Sequence, residues 1–223
     1  FDEVINYRIY FDALAGLILL NSLKGNTKTA ESLLITMELM TAKLKNSQFR
    51  LYTRSVKARV NLHKGLGSKE LEWAQMNWAR QTHEPYLWLM DVPDLTKICI
   101  IVNHGTTLQV EEALAVLVEV EVFLDSLHNK YQALDIELLK AMALLRIGRK
   151  EHAKESLNKA LTLAEKNDNI RPIIEAYRVM PSLFELVDKS FTSRRLLSRI
   201  GLKSSNNELP PVSYSKSHEL SFR

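Results

Sequence analysis

Thiols are almost absent from this chain: one cysteine in 223 residues cannot form an internal disulfide. Cys99, set in the apolar run Ile98 to Val102, reads as a small buried hydrophobe. A reducing compartment, the cytoplasm, is the expected setting. No apolar stretch approaches the length of a bilayer span, and the N-terminus lacks the basic-then-apolar order of a secretion signal. A large excess of one charge is missing as well. The net charge is +4 and most charges alternate in sign, so general nucleic-acid affinity is not indicated. Catalytic signatures are missing: there is no G-x-x-x-x-G-K-S/T phosphate loop, no G-x-S-x-G and no H-E-x-x-H. His63, His83, His104, His128, His152 and His218 are scattered singly, without zinc-ligand spacing. Glu111 with Glu112, and Glu119 with Glu121, sit too close along a helix to face one another as an acid–base pair. No catalytic residue, no metal site and no cofactor are expected within these residues.

Glycine is sparse too, with seven in all, but four of them carry the main signal. Gly25, Gly65, Gly105 and Gly148 recur at intervals of about 40 residues, each between two segments with helical apolar spacing. Leu134, Leu138, Ala141 and Leu145 form one stripe that stops at Gly148. Ala153, Leu157, Ala160, Leu161 and Ala164 form the next, and the small residues predict close antiparallel packing. Upstream, Leu14, Leu17, Ile18 and Leu23 run into Gly25, and Thr27 opens a helix carrying Ala30, Leu33, Leu34, Met37 and Met40. Gly25 precedes Ala30 by the same five residues that separate Gly148 from Ala153. In the second unit Glu70 takes that place and Trp73 supplies bulk on the inner face. In the third, Thr106 and Gln109 predict a capping box ahead of Ala113, Leu114, Leu117, Val120 and Leu124. The β-branched run Ile98 to Val102 has no partner strand, and Asp91, Pro93 and Asp94 before it make a helix start. The spacing predicts an all-α fold of nine or ten helices up to Ile200, in antiparallel pairs, with Pro172 in the first turn of one. Stacked units of this kind bury a continuous core and leave a concave surface, which suits binding better than chemistry.

Two further stretches bear on function. Trp73 to Trp88 concentrates aromatic residues, and Trp78, Arg80, His83, Tyr86 and Trp88 are the candidate ligand- or partner-binding group, able to stack on a sugar or another planar ligand. The plainer reading packs them into the core and a long connection. Near the C-terminus, Lys189, Arg194, Arg195, Arg199 and Lys203 surround a short helix with Phe191, Leu196, Leu197 and Ile200 on its apolar side, which reads first as a solvated capping face and second as a phosphate- or partner-docking site. After it the composition turns polar, with Ser204, Ser205, Asn206, Asn207, Pro210 and Pro211, as in a flexible linker. The expected organisation is a helical-repeat domain over 1–200, a linker over 201–219, and the opening of a further domain at 220–223. The chain begins at Phe1 directly on a predicted helix, so it is expected to be a piece of a longer protein.

Several words of this sequence, in their order, resemble a known family. Ala58-Arg59 lies in a helix ending at Gly65, with Trp73 eight residues beyond. Glu112-Ala113-Leu114 opens a long helix, Ile136-Glu137-Leu138-Leu139 leads to Gly148, and Ala160-Leu161-Thr162-Leu163-Ala164-Glu165 continues to Asn169-Ile170-Arg171-Pro172. Leu220-Ser221-Phe222-Arg223 looks like the first turn of a LuxR-type helix-turn-helix. Together they resemble the tetratricopeptide-like superhelical (α-solenoid) sensor region of MalT-like, LuxR-type bacterial transcriptional regulators. The resemblance implies a domain that receives a small-molecule effector or a protein partner and relays the signal to a DNA-binding domain beyond Arg223, with self-association as a further partner mode. It also implies that ATP belongs to a module N-terminal to the repeats. The alternative reading is a tetratricopeptide-like adaptor that holds a peptide or partner protein, with no small-molecule effector.

Overall fold

The computed structural model describes residues 2–76, 89–126 and 132–187, and among these every regular element is a helix. In chain order they are α1 (Asp2–Leu23), α2 (Thr27–Leu44), α3 (Ser47–His63), α4 (Leu71–Gln75), α5 (Pro93–His104), α6 (Thr107–Ser126), α7 (Ala133–Arg146), α8 (Lys150–Lys166) and α9 (Arg171–Val179). Short 3-10 turns occupy Gly67–Glu70 and Pro181–Leu186. The run Ile98 to Val102 lies inside α5, with Pro93 in its first turn, and Pro172 likewise opens α9. Proline fits there because the first amides of a helix have no intrahelical acceptor to lose. No described helix is long and apolar enough to cross a membrane.

Glycine stops three of these helices for the expected reason. Gly25, Gly65 and Gly148 have φ of +77, +74 and +81°, a left-handed turn that costs any other L-residue a clash with its own carbonyl. Gly105 departs from that pattern, with φ of −77°. A Cβ there would stand 2.6 Å from the carbonyl oxygen of Ile101, so its lack of a side chain serves close approach rather than a turn. Beyond it the capping box forms in both directions, Thr106 N donating to Gln109 Oε1 at 2.9 Å and Gln109 N to Thr106 Oγ1 at 3.4 Å.

Connections of two or three residues between α1 and α2, α2 and α3, α5 and α6, and α7 and α8 hold successive helices as antiparallel neighbours. The odd-numbered helices α1, α3, α5 and α7 form one layer, each packed on the next, while α2, α6 and α8 pack against members of that layer. The core divides in two. Phe11, Leu14, Ile18, Leu34, Met37, Phe49, Tyr52 and Val56 fill one cluster between α1, α2 and α3. Residues from Ala58 and Leu62 through Leu183 fill the other. The stripe of α8 is buried throughout, Ala153, Leu157, Ala160, Leu161 and Ala164 each at 2% exposure or less. In α1 the expectation fails at Leu17, which is 51% exposed. The inward stripe there is Phe11, Leu14, Ala15, Ile18 and Leu19, one step round the helix.

Candidate functional site

The two core clusters meet on α3, and between them a charged side chain sits on the buried stripe. Tyr52, Val56, Arg59 and His63 follow one another at helical spacing, so Arg59 points the way its apolar neighbours do. An isolated cation there would carry a prohibitive desolvation cost. Arg59 is instead surrounded by carboxylates. Its Nη1 donates to Asp91 Oδ1 at 2.9 Å, its Nε donates to Glu175 Oε2 at 2.9 Å while Nη2 reaches the same oxygen, and Asp135 Oδ1 lies 3.8 Å from Nη2. Arg171 completes the group, donating to Glu175 Oε1 at 3.3 Å and to the carbonyl of Met90 at 3.0 Å. Asp91 also accepts from Thr96 Oγ1 at 2.6 Å, while its Oδ2 is buried with no hydrogen-bond partner among the described residues.

These groups belong to four elements and to the segment before α5, and they line one cavity. Its walls are Arg59, Leu62 and His63 of α3, the stretch Leu89 to Val92, Cys99 of α5, Asp135, Leu139 and Met142 of α7, and Glu175 and Ala176 of α9. The volume is about 60 Å³. That holds a few waters or a very small ion and lies well below the several hundred Å³ of an ordinary metabolite pocket.

Burial and charge act against each other at each of these groups. Burial works to lower the basicity of Arg59, but Glu175, Asp91 and Asp135 more than offset it and hold the guanidinium firmly charged. Burial works to raise the pKa of Glu175, yet Arg59 and Arg171 bring it down to about 2. Asp135 goes the other way: burial raises it, and the arginines recover only part. His63 is driven down to about 4, chiefly by burial, so it is neutral near pH 7 while its Nδ1 is hydrogen-bonded to Ser22 Oγ at 3.0 Å. Cys99 is pushed up to about 12 by burial; it is a protonated, inert thiol rather than a nucleophile.

Helix α9 lies over this cluster, touching α3 and α7. Its last turn reaches the end of α1, where Arg178 donates from Nη1 to the carbonyl of Ser22 at 3.0 Å and from Nη2 to that of Leu23 at 2.8 Å. Those carbonyls have no acceptor role left inside α1. Arg146 does the same for α5, donating from Nε to Val102 O at 3.0 Å. An acidic groove of about 370 Å³ is lined by Glu121, Asp125 and Glu137 with Lys166. Lys140, outside that lining, joins Glu121 at 2.9 Å to Glu137 at 3.2 Å.

The aromatic candidates Trp78, Arg80, His83, Tyr86 and Trp88 lie outside the described residues, as do the basic stretch from Lys189 and the motif at Leu220. Trp73, the first of that aromatic stretch, is half-buried, with Arg54 4.9 Å and Lys97 5.6 Å from its ring centroid. Glu70 is buried against Arg54 and accepts from Asn61 Nδ2 at 2.6 Å. No group of metal-ligating side chains occurs among the described residues. Arg59, Asp91, Asp135 and Glu175 escape motif reading. Only Arg59 carries a local signal, a charge in line with the buried Tyr52, Val56 and Leu62 at helical spacing on α3. Comparison with family models, curated proteins and solved structures gives no match.

Proposed function

We propose that this chain is the sensor domain of a bacterial LuxR-type transcriptional regulator of MalT-like organisation. In this reading it is a cytoplasmic, tetratricopeptide-like superhelix that binds an effector or protein partner and passes the change to a DNA-binding domain beyond Arg223. It performs no catalysis, and ATP and DNA belong to flanking modules. Besides the sequence words, the reading is supported above all by the charge cluster, which gathers Arg59, Asp91, Asp135, Arg171 and Glu175 from across the stack. A ligand that alters one of these contacts changes how the helices from α3 to α9 hold one another, which is what coupling between distant sites requires.

The small volume of the cavity favours the second reading, an adaptor that holds a peptide or partner protein. Isothermal titration of small sugars and other candidate effectors against the folded domain, alongside the transcriptional response of the full-length protein, separates the two. Binding of the same compound that switches transcription supports effector sensing. A full-length response to a compound that the folded domain does not bind removes it.

A further inference from the structure

The face of the odd-numbered layer beneath α9 has the composition of a receptor, and α9 has that of its ligand. No residue of α2, α4, α6 or α8 lines the cavity, so α9 covers the side of the layer that faces away from them. Arg171, Glu175 and Arg178 follow at spacings of four and three, which places all three on one stripe of α9. Every one is received by the layer or the segment before α5: Arg171 by the carbonyl of Met90, Glu175 by Arg59, and Arg178 by the last carbonyls of α1. Pro172, Ile173 and Ala176 supply the apolar contact. The receiving groups all belong to parts of the chain other than α9.

Little in α9 itself holds it as a helix. It has nine residues and no side-chain cap at its start, and a helix that short is marginal in water without tertiary support. It enters through Asp168, a non-glycine residue with φ of +49°, and a cavity of about 60 Å³ lies beneath it.

We infer that this face is a helix-binding groove and that α9 occupies it as a built-in competitor. The partner that fits is a protein helix presenting a carboxylate with a cation four residues before it and another three residues after, beside a small apolar surface. This rests on the reading of the chain as a partner-responsive domain and names the kind of partner. In helix-in-groove recognition the affinity comes from such anchors at three- and four-residue spacing, and displacement of α9 would free Arg59 and the end of α1 together.

The test uses the whole chain and a fluorescein-labelled synthetic peptide of residues 168–187, followed by anisotropy and hydrogen exchange. In the chain carrying Ile173→Ala with Arg178→Ala, whose changes lie on α9 and spare the groove, the peptide is expected to bind at least tenfold tighter than to the unaltered chain. A peptide with Glu175→Lys is expected to lose that binding. Absence of peptide binding to the altered chain, with its far-ultraviolet helicity retained and exchange in α9 accelerated, would overturn the inference. Should that variant unfold, the unaltered chain with excess peptide decides: faster exchange in α9 supports displacement, and unchanged exchange opposes it. Dimer formation by the unaltered chain at the same concentrations, seen by sedimentation, reassigns the groove to α9 of a second copy. None of these readouts depends on an effector or on DNA, so their failure is separate from failure of the regulator reading.

Discussion

Tyr52 Oη donates to Asp12 Oδ1 at 2.5 Å, joining α3 to α1 inside the smaller core cluster. The same carboxylate accepts from the backbone amides of Leu89, at 3.3 Å, and Met90, at 3.1 Å. Asp12 therefore fixes the segment whose Met90 carbonyl and Asp91 carboxylate serve the arginines.

The two residues are unequal as targets. Tyr52→Phe leaves Asp12 with both amides and is expected to cost about 1 kcal/mol. Asp12→Ala removes the acceptor of the buried Tyr52 hydroxyl and of the part-buried amides of Leu89 and Met90, and is expected to cost more, on the order of 2 kcal/mol. Urea unfolding of the two variants checks the order.

A similar asymmetry holds in the charge cluster. Arg59 faces three carboxylates, whereas Glu175 faces two guanidiniums, one of which has Asp91 and Asp135 as further partners. Arg59→Met is expected to destabilise by roughly 3–5 kcal/mol, the range for stranding buried charge. Glu175→Gln keeps the shape and a hydrogen-bonding oxygen, and is expected to cost less than half of that. Denaturant midpoints at pH 7 and constant salt decide it, and equal losses would mean that Glu175 is the only carboxylate of consequence.

Stability is expected to form a plateau in pH with two unequal shoulders. His63, with a folded pKa of about 4 against 6.5, gives stability that is present above 6.5 and lost as the pH falls toward 4, because the unfolded chain takes up the proton first. Glu175, at about 2 against 4.5, extends the loss to lower pH, and the raised Asp135 partly opposes it by binding its proton more readily when folded. On the alkaline side Cys99, at about 12 against 9.0, begins to cost stability above pH 9, and Tyr52, also raised chiefly by burial, adds to this. The His63 step is on the order of 3 kcal/mol. Thermal melts from pH 3 to 10 should show it, and His63→Asn should flatten the part between pH 6.5 and 4.

Alanine at two glycines separates strain from collision. At Gly148 nothing lies near a Cβ, so Gly148→Ala meets only the left-handed backbone and is expected to cost about 1 kcal/mol. At Gly105 the backbone angle is ordinary but the Ile101 carbonyl stands in the way. Gly105→Ala is expected to cost roughly 2–3 kcal/mol because a helix carbonyl cannot yield as a side chain can.

The helices were legible because their apolar spacing is local. The stripe of α8, the box at Thr106 and Gln109, and the proline starts of α5 and α9 all depend on residues within a few positions of one another. Leu17 falls outside the inward stripe because α1 has apolar residues on more than one side, so periodicity alone does not choose which one faces α2 and α3. The charge cluster was illegible for the opposite reason. Arg59 and Glu175 are 116 residues apart, and no spacing rule foresees that α9 turns back across α3. Ala58-Arg59 and Arg171-Pro172 could be read only as words of a family resemblance, whereas in the fold the two arginines share one carboxylate.

The contact of Arg178 with the end of α1 also bears on how the molecule comes apart. In an open array each unit touches only its neighbours, so terminal units fray first and melting spreads inward. Among the described residues the last α-helix is tied to the C-terminal end of the first through Arg178. Arg178→Ala, which removes both of these hydrogen bonds, is expected to let α9 open ahead of the other described helices, so that its amides exchange before theirs.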